Sequence, residues 1–194
     1  MIEDGGGVEE ATKTRVKCAW GKFRKFTPIL TNRGVPFTLK GKIYQACVQS
    51  VMVYGSETLA TKVADMHRLS RAEMMMVRWM CGVSLKERKP NQELLGRLGI
   101  VCVTEVVRRS RLRWFGHLER KCGAGWVTNC RDLVVDGDRC RGRGRKTWSD
   151  CVEEDMIRLG LKREDVHKRE EWRKGIHGVR LTRASAEKTD VKRR

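Results

Sequence analysis

No apolar run in this 194-residue chain approaches the ~20 residues that a membrane-crossing helix needs. Residues 1–10 are acidic and glycine-rich, with no basic region followed by an apolar one, so they do not read as a secretory signal. N-myristoyl and C-terminal prenyl motifs are absent, which removes the usual lipid anchors for a basic protein on an acidic membrane surface. Without a secretory signal, the eight cysteines are expected to be reduced thiols of an intracellular protein.

The usual chemical signatures are missing as well. There is no Cys-x-x-Cys; His67, His117, His167 and His177 are scattered, and Cys122, Cys130, Cys140 and Cys151 are too widely spaced for an ordinary zinc site. Only a folded gathering of His117, Cys122, Cys130 and Cys140 would make one, so the expectation is no metal and no cofactor. A polymerase needs paired carboxylates to hold two metal ions, and no Asp-Asp pair follows an aromatic residue here. Glu153, Glu154 and Asp155 lie at a helix start, where acids complement the dipole. A Gly-Lys-Ser/Thr phosphate loop and a nucleophile elbow are also absent. From Thr12 to Ser56 there is not one acidic residue, against nine lysines and arginines, which points one face toward something anionic.

What is present is positive charge. Forty-two Lys and Arg against 24 Asp and Glu give +18 and a pI near 10.0. That much like charge disfavours a compact state unless a polyanion neutralises it. Nucleic acid is the usual one, since each neutralised phosphate releases a counterion. Hydrophobic residues make up 40% of the chain and charged residues 34%, which suits a modest core with solvated arms.

Hydrophobic spacing predicts helices throughout. Glu10 to Phe26 carries a stripe of Val16, Trp20, Phe23 and Phe26, followed by a loop punctuated by Pro28, Asn32, Gly34 and Pro36. Thr38 is placed to cap a nearly all-round apolar helix running to Tyr54 and closed by Gly55, with a buried strand over Val48 to Tyr54 as the alternative. Asp65 would cap a helix from Met66 to Cys81, stopped by Gly82, with the Met74-Met75-Met76 run as adaptable core filling. Asn91 and Gly99 bracket a short helix, and Thr104 opens a long one from Glu105 to Lys121. On that long helix, Val107, Trp114 and Leu118 make an apolar stripe, opposite Arg109, Arg113 and Arg120, with His117 beside the arginines. A Gly/Arg/Cys-rich segment follows, with a hairpin suggested by Trp126, Val127, Leu133, Val134 and Val135 around Asp136-Gly137. Ser149 would cap a helix to Leu159. A last helix is expected over Glu164 to Ile176, and a frayed basic tail from Arg180.

Two constellations suit phosphate binding. The row Arg109, Arg113 and Arg120 offers forked donors along one helix face. The segment from Arg139 to Trp148 reads Arg-Cys-Arg-Gly-Arg-Gly-Arg-Lys-Thr-Trp. There Arg141, Arg143, Arg145 and Lys146 can clamp phosphates, glycine permits close backbone approach, and Trp148 can stack a base. The alternatives are a solvated arginine face, an unstructured or localising basic loop, and tryptophans that serve as packing anchors.

Six blocks of this chain resemble, in order, the C-terminal region of LINE-type (non-LTR) retrotransposon reverse transcriptases. They are "IYQACVQSVMVYGSET" from Ile43, "VRWMCGV" from Val77, "ELLGRLGI" from Glu93, "RRSRLRWFGHLER" from Arg108, "RGRGRKTWSDCVEEDM" from Arg141 and "REEWRKGI" from Arg169. The family's Gly-Arg-Pro reads Gly142-Arg143-Gly144 here, and its tryptophan after Ser-Glu-Thr is Leu59. The resemblance implies the thumb and post-thumb, which grip template and primer. It also implies that fingers, palm and metal-binding aspartates belong to a missing portion of the same element, so polymerase activity does not carry over.

The expected molecule is mainly α. A connector over residues 1–9 leads to a helical thumb-like bundle over 10–121, a looser basic helical extension over 122–178, and a disordered basic tail over 179–194. Its expected role is sequence-tolerant binding of RNA or DNA through Arg109, Arg113, Arg120, Arg141, Arg143, Arg145, Lys146 and Trp148, without catalysis. The rival expectation is a decayed relic or protein-interaction fragment, with apolar surface bared around Val48 to Tyr54 and the Met face. The basic clusters, including Lys192-Arg193-Arg194, suggest a nuclear location.

Overall fold

A computed structural model of the chain describes residues 7–121 and 146–178. Among these residues the secondary structure is helical, with no strand. The hairpin expected around Asp136-Gly137 and the basic tail lie outside the described residues. The chain divides into two compact units, Met1–Arg108 and Arg109–Arg194.

In the first unit, α1 (Gly7–Leu30) is longer than its hydrophobic stripe predicts and runs through Pro28. Proline there removes one helical amide two residues before the helix ends. The last turn is held by burial of Leu30 and by hydroxyl bonds from Thr27 to the Phe23 carbonyl (3.0 Å) and from Thr31 to the Thr27 carbonyl (2.8 Å). Next, α2 (Phe37–Tyr44), a π turn (Gln45–Gln49) and α3 (Ser50–Val53) follow one another without a break, so the strand alternative for Val48 to Tyr54 gives way to helix. The wider π turn buries the adjacent residues Val48 and Gln49 together. Gly55 then turns the chain left-handed, at φ 63°.

The helix α4 (Val63–Cys81) supplies much of the core through Leu69, Ala72, Met76, Val77 and Met80. The methionine run divides: Met74 and Met76 are buried, while Met75 is 62% exposed. Short α5 (Asn91–Leu98) ends at Gly99, whose φ of 64° lets the Ile100 amide bond back to the Leu95 carbonyl at 3.0 Å and returns Ile100 to the core. Gly41 of α2 lies hard against the end of α5. A Cβ there would sit 1.9 Å from the Leu98 carbonyl oxygen, so only glycine permits this approach.

The long helix α6 (Val103–Arg120) carries the boundary between the units within it, between Arg108 and Arg109. Val103 and Val107 belong to the first core, while Leu112 and Phe115 belong to the second. At 100° per residue the buried face turns by roughly 130° between those pairs. That rotation puts Trp114 off the apolar stripe predicted for it. The indole is half-exposed and stacks on His117, centroids 5.6 Å apart and planes 27° apart.

The second unit adds α7 (Trp148–Leu159), a 3-10 turn (Arg163–His167) and α8 (Arg169–Ile176). Thr147, rather than Ser149, caps α7, in a reciprocal pair with Asp150. The single helix expected over Glu164 to Ile176 is broken at Lys168, where φ is −91° and ψ is 83°. The break seats Val166 and Trp172 in one core with Leu112, Phe115, Val152, Leu161 and Ile176.

Candidate nucleic-acid interface

Trp172 organises the basic surface of the second unit. Its indole Nε1 donates to the Leu112 carbonyl at 3.1 Å, and its ring lies 6.1 Å from that of Phe115. This insertion requires Gly116, since a Cβ there would stand 2.4 Å from Nε1. With Trp172 seated on α6, the α8 residues one to five positions beyond it come beside the arginine row of α6.

The result is a concentration of positive charge from two helices. Arg109, Arg113 and Arg120 fall within about 40° of one another on α6. At 1.5 Å rise per residue, Arg109 and Arg113 are about 6 Å apart along the axis. Arg173 and His177 have the same i,i+4 spacing on and just beyond α8. Partial desolvation, and then the charges of Arg109, Arg113 and Arg173, hold the His177 imidazole below the ordinary histidine pKa. At the other end, desolvation and Arg169 hold Arg120 below its usual value. The charge of Arg169 thus acts on Arg120, and those of Arg109 and Arg113 act on His177.

The predicted residues do not fare alike. Arg113 is exposed and Arg109 is half-buried, and the charges of both act on His177. Arg120 is half-buried, and its guanidinium donates to the Val166 carbonyl at 2.8 Å, so it also ties α6 to the turn before α8. Lys146 forms an ion pair with Glu154. Trp148 is half-buried against the second core, 6.2 Å from the Phe115 ring. Arg141, Arg143 and Arg145 lie outside the described residues, as do three of the thiols considered for zinc. Among the described residues, no group of three His, Cys, Asp or Glu is arranged to hold a metal ion.

Sequence reasoning missed Arg169, Arg173 and His177. Their i, i+4, i+8 spacing beside Trp172 was the available signal. It also missed Arg111, which points inward from the same helix and pairs with Asp155 at 2.7 Å, both side chains nearly inaccessible. In the first unit, the acid-free run is partly occupied by structure. The Arg15 guanidinium donates to the Tyr54 carbonyl at 2.7 Å, and buried Lys40 donates to the Met80 carbonyl at 3.2 Å, at the C-terminal end of α4. Lys17, Lys22, Arg24 and Lys25 of α1 remain exposed.

None of the described helices is long and apolar enough to cross a membrane. No protein-family model, curated protein or solved structure matches the chain.

Proposed function

We propose that this chain is a nucleic-acid-gripping portion of a retrotransposon-type reverse transcriptase, holding the sugar-phosphate backbone of RNA or DNA without reading sequence. The polymerase carboxylates would be supplied by a palm and fingers from elsewhere in the same element. The observation that carries the reading is the row of Arg109, Arg113 and Arg120 along one face of α6, on a chain of net charge +18. Like charges gathered at one place repel one another, and a phosphate between them would relieve that repulsion. Arginine suits the task because its planar fork meets two phosphate oxygens at once.

The test is nuclease-treated full chain titrated against labelled single-stranded RNA and duplex DNA at several salt concentrations. Neutralising ~6 phosphates would make affinity fall by several decades per decade of salt. Replacing Arg109, Arg113 and Arg173 together by Gln should flatten that slope by about 3. Absence of binding at low salt would overturn the proposal.

A second reading, a self-associating or partner-binding fragment, is favoured by one feature of the first unit. Trp79, 53% exposed, closes an aromatic group with Trp20 (6.3 Å) and Phe23 (5.6 Å), and Met75 is exposed on the same helix. Sedimentation in nucleic-acid-free buffer separates the readings. A clean monomer removes self-association, and concentration-dependent oligomers support it.

A further inference from the structure

We infer that the loop between α1 and α2, the start of α2 and the end of α4 together form a binding site for the phosphate group of a nucleotide-sized ester, held by Lys40 and Arg33. The site lies wholly in the first unit and does not depend on the arginine row of α6.

Arg33, Val35, Pro36, Phe37, Lys40 and Met80 are among the residues that line one cavity of about 490 Å³. That size is typical of sites that enclose a small organic molecule rather than a bare ion. No acidic side chain lines the cavity, which falls inside the acid-free run from Thr12 to Ser56. Lys40 is only 3% exposed. Its ammonium donates to the Met80 carbonyl at 3.2 Å and lies 5.3 Å from the centre of the Phe37 ring. The carbonyl takes one of the three ammonium hydrogens, and neither it nor the ring carries a full negative charge. Among the described residues, Lys40 and Arg33 form no ion pair with a carboxylate. A buried cation is costly to desolvate unless an anion meets it. A phosphate in this cavity supplies that anion.

The other walls suit the same ligand. Arg33 is exposed in the loop and offers a planar fork to two phosphate oxygens. Helix α2 starts after Pro36 with no side-chain cap, and the Phe37 amide has no partner within the helix. A helix start of this kind favours negative charge. Val35, Pro36 and the partly exposed Phe37 ring give the cavity an apolar side for the organic part of an ester. The exposed cations of α1, by contrast, are outside the cavity and attract anions without enclosing them.

The experiment titrates adenosine 5′-monophosphate into the full chain at constant ionic strength and follows the backbone amide signals by NMR. The expected result is a saturable shift of the Gly34 and Phe37 amides. Arg33→Gln should weaken binding about tenfold or more, by removing a charged hydrogen-bond donor. Arg24→Gln, which removes the same charge from α1, should leave the affinity near the wild-type value. Lys40→Met should abolish binding, and its thermal melt reports whether it folds; if it does not, the two arginine variants decide. Adenosine without phosphate should leave both amides unmoved. A 5′-phosphorylated oligothymidylate distinguishes the source of the phosphate: tighter binding than the mononucleotide assigns the site to a strand end, and weaker binding assigns it to a free nucleotide. The inference is overturned if the shifts do not saturate, if Arg33→Gln and Arg24→Gln weaken binding equally, or if adenosine binds as well as its phosphate. None of those results bears on the α6 row, which long strands and the salt slope test separately.

Discussion

The Glu73 carboxylate accepts a hydrogen bond from the backbone amide of Val103 at 2.7 Å, joining the middle of α4 to the first residue of α6. Its other oxygen accepts from the Gln49 side-chain amide at 2.9 Å, and the same Gln49 nitrogen reaches the Val101 carbonyl at 2.7 Å. Glu73 is the polar break in the otherwise apolar face of α4. The break is a buried node at the start of α6, and it satisfies one of the amides that a helix leaves open at its first turn.

Burial pushes the Glu73 pKa from 4.5 up to about 7, against the opposing bonds from Val103 and Gln49. The folded protein therefore binds this proton more tightly than the unfolded chain does. The stabilisation is fully present below about pH 4.5 and is lost as pH rises through about 7, by roughly 3 kcal/mol in all. Thermal melts of the wild type across that window should show the first unit softening as pH rises. Glu73→Gln, which cannot ionise, should flatten the profile. An unchanged slope in the variant would assign the pH dependence to other groups.

Gly41→Ala should be severely destabilising, because the new Cβ meets backbone, 1.9 Å from the Leu98 oxygen, and backbone yields less readily than a side chain. A loss of ~3 kcal/mol or more in denaturant unfolding is expected. Gly21→Ala, on the exposed face of α1 with nothing within 4 Å, should instead stabilise by about 0.5–1 kcal/mol through helix propensity. Similar effects at both positions would contradict the packing described.

Most of the helices could be read from the sequence, because 3.6-residue spacing and glycine stops are local signals. Gly55, Gly82 and Gly99 all end their segments where the sequence places the stop. The long-range choices could not. Pro28 reads as a breaker, yet burial of Leu30 beyond it keeps the turn helical. Trp114 shares a stripe with Val107 and Leu118 only if one core faces the whole of α6, and the change of core midway turns it outward. The arginine row on α6 was legible as a row. Its second half on α8 depended on where Trp172 docks, which local periodicity cannot reveal. The same limit hid the distinction between Arg111, which is internal, and Arg109 and Arg113.

Asp155→Ala should cost about 3–5 kcal/mol, since it leaves the Arg111 charge buried without its carboxylate. Changing both residues to apolar side chains of similar size, Arg111→Met with Asp155→Leu, should recover most of that loss. The double-mutant cycle in denaturant unfolding measures the coupling. If the two single variants simply added, the pair would not be interacting as its 2.7 Å separation indicates.

Arg113 and Arg120 belong to the same basic row and should respond differently to the same substitution. Arg113 is exposed, so Arg113→Gln should weaken oligonucleotide binding and lower the salt slope by about 1 with the melting temperature unchanged. Arg120 also bonds the Val166 carbonyl, so Arg120→Gln should lower the melting temperature of the second unit as well, by removing a half-buried charged donor worth about 1.5–3 kcal/mol. If it does so while the salt slope stays at the wild-type value, Arg120 is a brace between α6 and the turn before α8, and the phosphate contacts lie at the Arg109, Arg113 and Arg173 end of the face. A slope reduced at both positions would extend the track along the full row from Arg109 to Arg120, with Arg169 as its neighbour on α8.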